Sequence, residues 1–352
     1  MKNIISISSQ IKKLSKKDKA LFYRVYNITE DVGSMKVPAE MKKWVISKFG
    51  SVKVVEKQKI IRIDNNITFE SALFNEIRSL RPIDSNNYTN TKKLIKEKEG
   101  GPFCKPLKLT PADNFGRIKG KKCITASNIA KYDSSHGLVI FKEHDPFKFQ
   151  SSDVKDYFET AEKWIKKANK QDPERIYPFI MWNCLWKASA SIIHGHMQTL
   201  LANNRHYGEI EKLKVFADSY ETFFGSDYFK DLYLLHKKLD LGFENKGNKI
   251  MAYLTPKKEK EIFIIAKDFK SMPNVVYKVL KSYLKMGVQS FNLGVYLQPL
   301  DNHWQLPVII RIIDRGKLSV NTTDIGGMEL FAGTNVIESD PYKIINFVKK
   351  EF

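Results

Sequence analysis

A chain of 352 residues, 42% hydrophobic and 28% charged, is long enough for two domains or one duplicated one and too apolar for disorder. No apolar run approaches the roughly 18 to 20 residues of a membrane span, the start MKNIISISSQIKKLSKKDK lacks a signal-peptide core, and three scattered cysteines argue against a disulfide scaffold, so a cytoplasmic location is expected. Basic residues outnumber acidic ones 59 to 39, a net charge of +20 that favours anions, but no zinc-finger spacing, RNP-like motif or helix-turn-helix pattern directs that charge to nucleic acid.

In chain order, the first eighty residues read as lysine-rich helices around Leu14, Leu21, Phe22, Val25 and Tyr26, then around Trp44, Val45 and Phe49, with one strand near 52–63. Residues 84–101 (DSNNYTNTKKLIKEKEGG) are polar and end in Gly-Gly, which predicts a loop or linker. Strands are predicted at 123–125 and 137–141. A helix opens at Ser151 and carries Val154, Phe158, Ala161, Trp164, Ile165 and Ala168 at helical spacing, and strands follow at 177–185 and 191–200. Two helices come next, at 209–224 and 227–240. The second half then repeats the order: strands at 250–254 and 261–266, a helix from Pro273 to Gly287, strands at 290–297 and 306–313. Two strand, strand, helix, strand, strand units imply an internal duplication of an α+β module.

The chemistry concentrates in KASASIIHGHMQTLLA. His194, His196 and Gln198 alternate, so on a strand they share one face. Three polar groups among apolar residues need partners, since each one buried unpaired costs about 1 to 3 kcal/mol. A ligand supplies those partners, or backbone carbonyls of the fold do.

These residues resemble the galactose-1-phosphate uridylyltransferase branch of the histidine triad superfamily, which includes nucleotide-sugar and dinucleoside polyphosphate phosphorylases. His-x-His-x-Gln is the hallmark, met by His194, His196 and Gln198. The family's Asn eleven residues before the first His, and its Ser three before, fall on Asn183 and Ser191. Val139 to His144, Arg78-Ser79-Leu80-Arg81-Pro82, Gly101-Pro102-Phe103-Cys104 and His303-Trp304-Gln305-Leu306 extend the likeness over roughly residues 78–330. The resemblance implies an α+β fold of duplicated histidine-triad-like modules, each an antiparallel sheet with helices packed on it, after an N-terminal helical extension. The expected division is 1–83, with one strand leading to the Arg-rich segment; 102–205, the first module with the catalytic motif; and 206–352, linking helices and second module.

The resemblance also implies a nucleotidyltransferase or phosphorylase, acting between a nucleotide sugar or dinucleotide and a phosphorylated acceptor, with a homodimer left open. A neutral imidazole is nucleophilic near pH 7, which suits His196 to take up a nucleoside monophosphate. Gln198 can donate to phosphoryl oxygens but cannot act as a general acid, and because the superfamily's hydrolases carry His at this position, the resemblance implies transfer to phosphate rather than to water. Ser191 and Ser189 would donate to phosphate, Arg78 and Arg81 would supply charge, and Asn183 and Asn128 would contact ribose or base. Zinc in the family is held by residues matching Gly101, Cys104, His144 and His194, a set with one ligand missing here. The family's second His-x-His reads Pro307-Val308-Ile309, and its sugar-contacting segment reads Thr322 to Glu329 without the Lys or Tyr. Blander readings stand beside these: Arg78 and Arg81 as a solvated helix face, Asn128 as a cap, Cys104 as a small apolar group, His303 and Trp304 as structural, and His136 as a turn residue or a phosphate contact. A hydrolase, or a nucleotide- or RNA-binding regulator on the same fold, is the alternative function.

Overall fold

The structure, a computed structural model, describes residues 2–80, 90–320 and 322–352. Near the N-terminus, apolar residues at helical spacing build α1 (Ile7–Lys12), α2 (Lys16–Val25), α3 (Lys42–Phe49) and α4 (Val52–Glu56). Ser15 caps α2 by accepting from the Asp18 amide, and Gly50, at φ 79°, closes α3. Three strands run among them: β1 (Tyr26–Ser34), β2 (Lys57–Asn65) and β3 (Ser71–Phe74). The strand expected at 52–63 therefore begins as α4. β1 is a mostly exposed edge strand whose residues lack apolar alternation, which hid it from the sequence. The predicted loop at 84–101 contains a helix, α5 (Thr91–Glu97), because Asn90 accepts from the Lys93 amide and Ile95 is buried. A short α6 (Pro106–Leu109) follows.

The first module comprises β4 (Cys123–Ser127), β5 (His136–Phe141), α7 (Ser151–Gln171), β6 (Arg175–Cys184) and β7 (His196–Asn203). Helices α8 (Gly208–Phe224) and α9 (Tyr228–Lys238) connect it to β8 (Gly242–Asn245), β9 (Asn248–Ala252), β10 (Ile262–Ala266), α10 (Met272–Lys285), β11 (Phe291–Tyr296) and β12 (Val308–Asp314). The chain ends with α11 (Gly327–Phe331), β13 (Thr334–Ile337) and α12 (Pro341–Lys349).

One nine-stranded antiparallel sheet, ordered β4-β5-β7-β6-β11-β12-β10-β9-β8, joins the two modules. The order β4-β5-β7-β6 in the first is mirrored by β9-β10-β12-β11 in the second, meeting where Asn183 faces Asn292. That mirrored order is the expected duplication, with β12 standing where β7 stands. Helices α7 and α10 pack against each other and against one sheet face. Trp182 is fully buried there, edge-on to Phe141 and Phe291 at 5.0 and 5.4 Å. A Cβ on Gly137 would lie 2.3 Å from Trp164 of α7, so this strand must offer glycine to the helix.

A second sheet, β1-β2-β3-β13, combines the N-terminal strands with one from the C-terminal end, β13 running parallel to β3. Pairing thus crosses the division drawn at residue 83. The β2–β3 hairpin sits on the second module: Glu70 accepts from Tyr253 and Arg311 at 2.7 and 2.6 Å, and Asn65 donates to Tyr228 at 2.8 Å. Over the first module the sheet face opposite α7 carries the histidines. No helix among the described residues is long and apolar enough to cross a membrane.

Candidate functional site

After β6 the chain turns sharply. Leu185 and Ser189 have φ of 65° and 66° on either side of a 3-10 turn, Trp186–Ala188. Strand geometry returns only at His196, so the strand predicted at 191–200 starts five residues late. Gly195 explains part of this: its missing Cβ would lie 2.4 Å from the Phe141 ring, and its carbonyl accepts from the Phe141 amide at 2.9 Å. His194 therefore does not share a strand face with His196 and Gln198, as the alternation suggested; it belongs to the turn.

Strand β7 presents His196 opposite Ile140 and Gln198 between Leu138 and Met181. Its other face, Met197 and Leu201, is core. His196 Nδ1 lies 2.8 Å from the His194 carbonyl, which fixes the hydrogen on Nδ1 and leaves a lone pair on Nε2. Among the described residues nothing hydrogen-bonds Nε2. The edge of the ring meets Phe103 at 5.0 Å, and burial pushes its pKa down to about 4, so the imidazole is neutral at pH 7.

His136 is a residue the sequence left undecided. Its Nδ1 accepts from the Tyr132 amide at 3.0 Å, so Nε2 carries the hydrogen and donates to Gln198 Oε1 at 2.8 Å. The Gln198 amide is thereby held one way round, with its N–H groups turned away from His136. Register places the pair together, since His136 faces Leu200, two residues along the same face from Gln198. Only strand pairing carries that signal.

Beside His196 lies a donor cluster. His144 Nε2 faces the Ile95 carbonyl at 2.7 Å, and His194 Nε2 faces the Phe141 carbonyl at 2.8 Å. Both Nε2 atoms must then carry hydrogen, so both Nδ1 atoms turn lone pairs toward each other, 3.1 Å apart. Cys104 Sγ lies 3.3 and 3.5 Å from them. Two lone pairs at that separation call for a shared partner, such as a metal ion, between them. The three ligand atoms lie within 4.8 Å of one another, and the carbonyls on the far nitrogens are the outer partners that metal-bound histidines take.

The remaining predicted residues divide. Ser189 and Ser191 are exposed on the turn before His196. Asn183 accepts from Asn292 at 2.7 Å, and Arg315 donates to Asn292 and grips Asp324 with two bonds of 2.6 and 2.8 Å. That chain, unseen in the sequence, runs from the histidine module into a cavity of about 1160 Å³ lined by Arg78, Lys187, Arg315 and Lys317. Asn128 packs on His136, its Nδ2 3.2 Å from the ring, and caps no helix among the described residues. Arg81 lies outside the described residues. His303 accompanies Trp304 and bonds Asp301 at 2.6 Å.

The architecture has close parallels. An ADP-glucose phosphorylase from Arabidopsis thaliana, solved with bound ADP-glucose, superposes with a TM-score of 0.60 at 16% identity, over 81% of this chain and 96% of that one. The fold is that of the uridylyltransferases. A GalT-like protein from Arabidopsis thaliana (TM-score 0.58, 15% identity, 82% and 97% of the two chains) and a uridylyltransferase (0.58, 14%, 83% and 98%) share it as well. No protein-family model matches the sequence, and no curated protein matches it either.

Proposed function

We propose that this uridylyltransferase-like chain moves a nucleoside monophosphate between phosphorylated substrates through a covalent adduct on His196. The observation that carries this is the His196 ring itself: Nδ1–H on the His194 carbonyl, a free Nε2, and the oriented Gln198 amide two residues along the same face. Nε2 attacks the α-phosphorus of a nucleotide sugar or dinucleoside polyphosphate. An N–P bond forms as the P–O bond to the leaving phosphate breaks, and the leaving group departs with the electron pair. The substituted ring carries positive charge, which the His194 carbonyl faces. A phosphate oxygen of the acceptor then attacks the same phosphorus, the N–P bond breaks and neutral imidazole returns.

Gln198 supplies N–H donors to the phosphoryl oxygens, and Gln in place of the His that the superfamily's hydrolases carry supports phosphate rather than water as the acceptor. The likeness to an ADP-glucose phosphorylase and uridylyltransferases supports the reaction class. A phosphorylated acceptor would find cations in the cavity beside Lys187 and Arg315. Cys104, His144 and His194 would hold zinc, which when bound ties the 102–104 turn and the end of β5 to the turn before His196. The position the family fills with a fourth ligand is Gly101, which has none to offer.

Incubation with labelled nucleotide sugars and dinucleoside polyphosphates should leave acid-labile, base-stable label on the protein. Label that survives His196→Ala sinks the assignment. Nucleotide released at the same rate with and without added phosphate would indicate a hydrolase instead.

A further inference from the structure

The second module holds a cavity of about 790 Å³ that adjoins the one beside Lys187, sharing Lys258, Arg315 and Glu329 with it, and in which the exchange as described gives Arg311 and Phe69 no role. It opens on the sheet face that carries Gln198, where the β2–β3 hairpin overlies β12. Arg311 lines it. Cross-strand pairing puts Gln198, Met181, Gly294 and Arg311 in one row, and β12 occupies in its module the place of β7. Arg311 is thus the counterpart of Gln198 across the centre of the sheet, about 14 Å away at ~4.8 Å per strand.

The Arg311 side chain is only 9% exposed. Nε donates to Glu261 and Nη1 to Glu70, which hold two edges of the guanidinium. The third edge is unclaimed: Nη2 is buried and has no hydrogen-bond partner among the described residues. A buried N–H of a charged group is rarely left without an acceptor. An acceptor oxygen in the cavity would meet it; the other basic side chains of the lining are already paired, Lys257 with Glu70 and Glu209, Lys258 with Glu329 and Arg315 with Asp324, so Arg311 Nη2 is the donor that an anionic oxygen would find unclaimed.

The mouth offers a different surface. Phe69 is 75% exposed and meets Phe216 edge-on at 5.7 Å. Its φ is 56°, a conformation that bulky residues seldom adopt. Asn65 holds this turn, accepting from the Ile67 and Thr68 amides at 2.9 and 3.1 Å. The fold keeps an aromatic ring in solvent, in strained backbone, on the same cavity as an arginine with one N–H edge unclaimed among the described residues.

We propose that this cavity is a second ligand site for an organic phosphate bearing an aromatic ring, the chemical class of a nucleoside monophosphate. A phosphate oxygen accepts from Arg311 Nη2, and the base lies against Phe69 and Phe216.

Calorimetric titration of the full chain with AMP and with UMP, together with crystal soaks of the same nucleotides and of inorganic phosphate, tests this. The expected result is two nucleotides per chain, one of them in the Arg311 cavity. Arg311→Lys leaves Glu261 poorly paired and can misfold, so Phe69→Gly is the decisive variant: it removes the ring and relieves the positive φ. It should keep the wild-type thermal midpoint or exceed it, and weaken the second site at least tenfold. One nucleotide at His196 alone, with Phe69→Gly binding like wild type, overturns the proposal, as does phosphate on Arg311 with no nucleotide ever ordered there. A nucleotide in the Arg311 cavity with none at His196 supports this site while counting against the transfer reading, so the two fail separately.

Discussion

An amide can serve a phosphate only if its N–H side faces it, and Gln198 has no way to choose a side alone. His136 chooses for it, because the Tyr132 amide fixes the tautomer and Nε2–H then claims Oε1. His136→Leu should lower the rate of adduct formation about tenfold to a hundredfold, with little change in KM, the range typical of partners that orient a reacting group. His136→Gln, which can place an N–H donor near Nε2, should recover most of the loss. Equal damage from both variants, or a rise in KM alone, would mean that His136 only fills space. The His-x-His-x-Gln spacing could be read in the sequence because all its members are neighbours in the chain. His136 stands 62 residues before Gln198, and only strand register brings it there.

At the level of elements, alternation and helical spacing exposed the central strands and the helices α7 and α10, since their apolar residues face one continuous core. The same reasoning missed β1, β13 and α5. β1 is mostly exposed, and β13 pairs only with a strand some 260 residues away. Residues 191–195 read as strand because apolar Ile192 and Ile193 mimic one; the left-handed Ser189 before them and Gly195 keep them in the turn instead. Close packing of α7 on the sheet gives a direct test. Gly137→Ala forces a Cβ into the Trp164 ring and should cost about 1 to 3 kcal/mol in urea denaturation. Gly208→Ala, with open space at the start of α8, should stay within about 0.5 kcal/mol of wild type. Equal effects would mean that α7 sits further from β5 than described.

On the scale of the molecule, the zinc reading predicts about one metal ion per chain by elemental analysis, falling sharply in Cys104→Ala. Protein that is metal-free after purification and does not take up added zinc would refute it. Acid stability depends on histidines elsewhere. His206 and His236 are buried neutral, and burial pushes both down to about 4. In the unfolded chain their pKa is about 6.5, so between these values the unfolded state binds more protons. Their contribution to stability is therefore complete above about pH 6.5 and lost as pH falls toward 4. His236 shows why: Nδ1–H donates to the Leu232 carbonyl and Nε2 accepts from the Leu254 amide, leaving a second proton no partner. Thermal midpoints should decline steadily from pH 6.5 downward; a midpoint unchanged to pH 5 would contradict this.

Local pattern was enough to reveal the duplicated α+β modules and the histidine motif, while the ligand set at Gly101, Cys104, His144 and His194 came only from the family resemblance. The modules and the motif are written in residues close together or at a regular spacing. Which faces the modules join, how Gln198 is oriented, that α5 supplies a carbonyl to His144, and that Arg311 stands across the sheet from Gln198 depend on pairings between distant strands. Register sets them, and a one-residue slip would turn every one of these side chains to the other face.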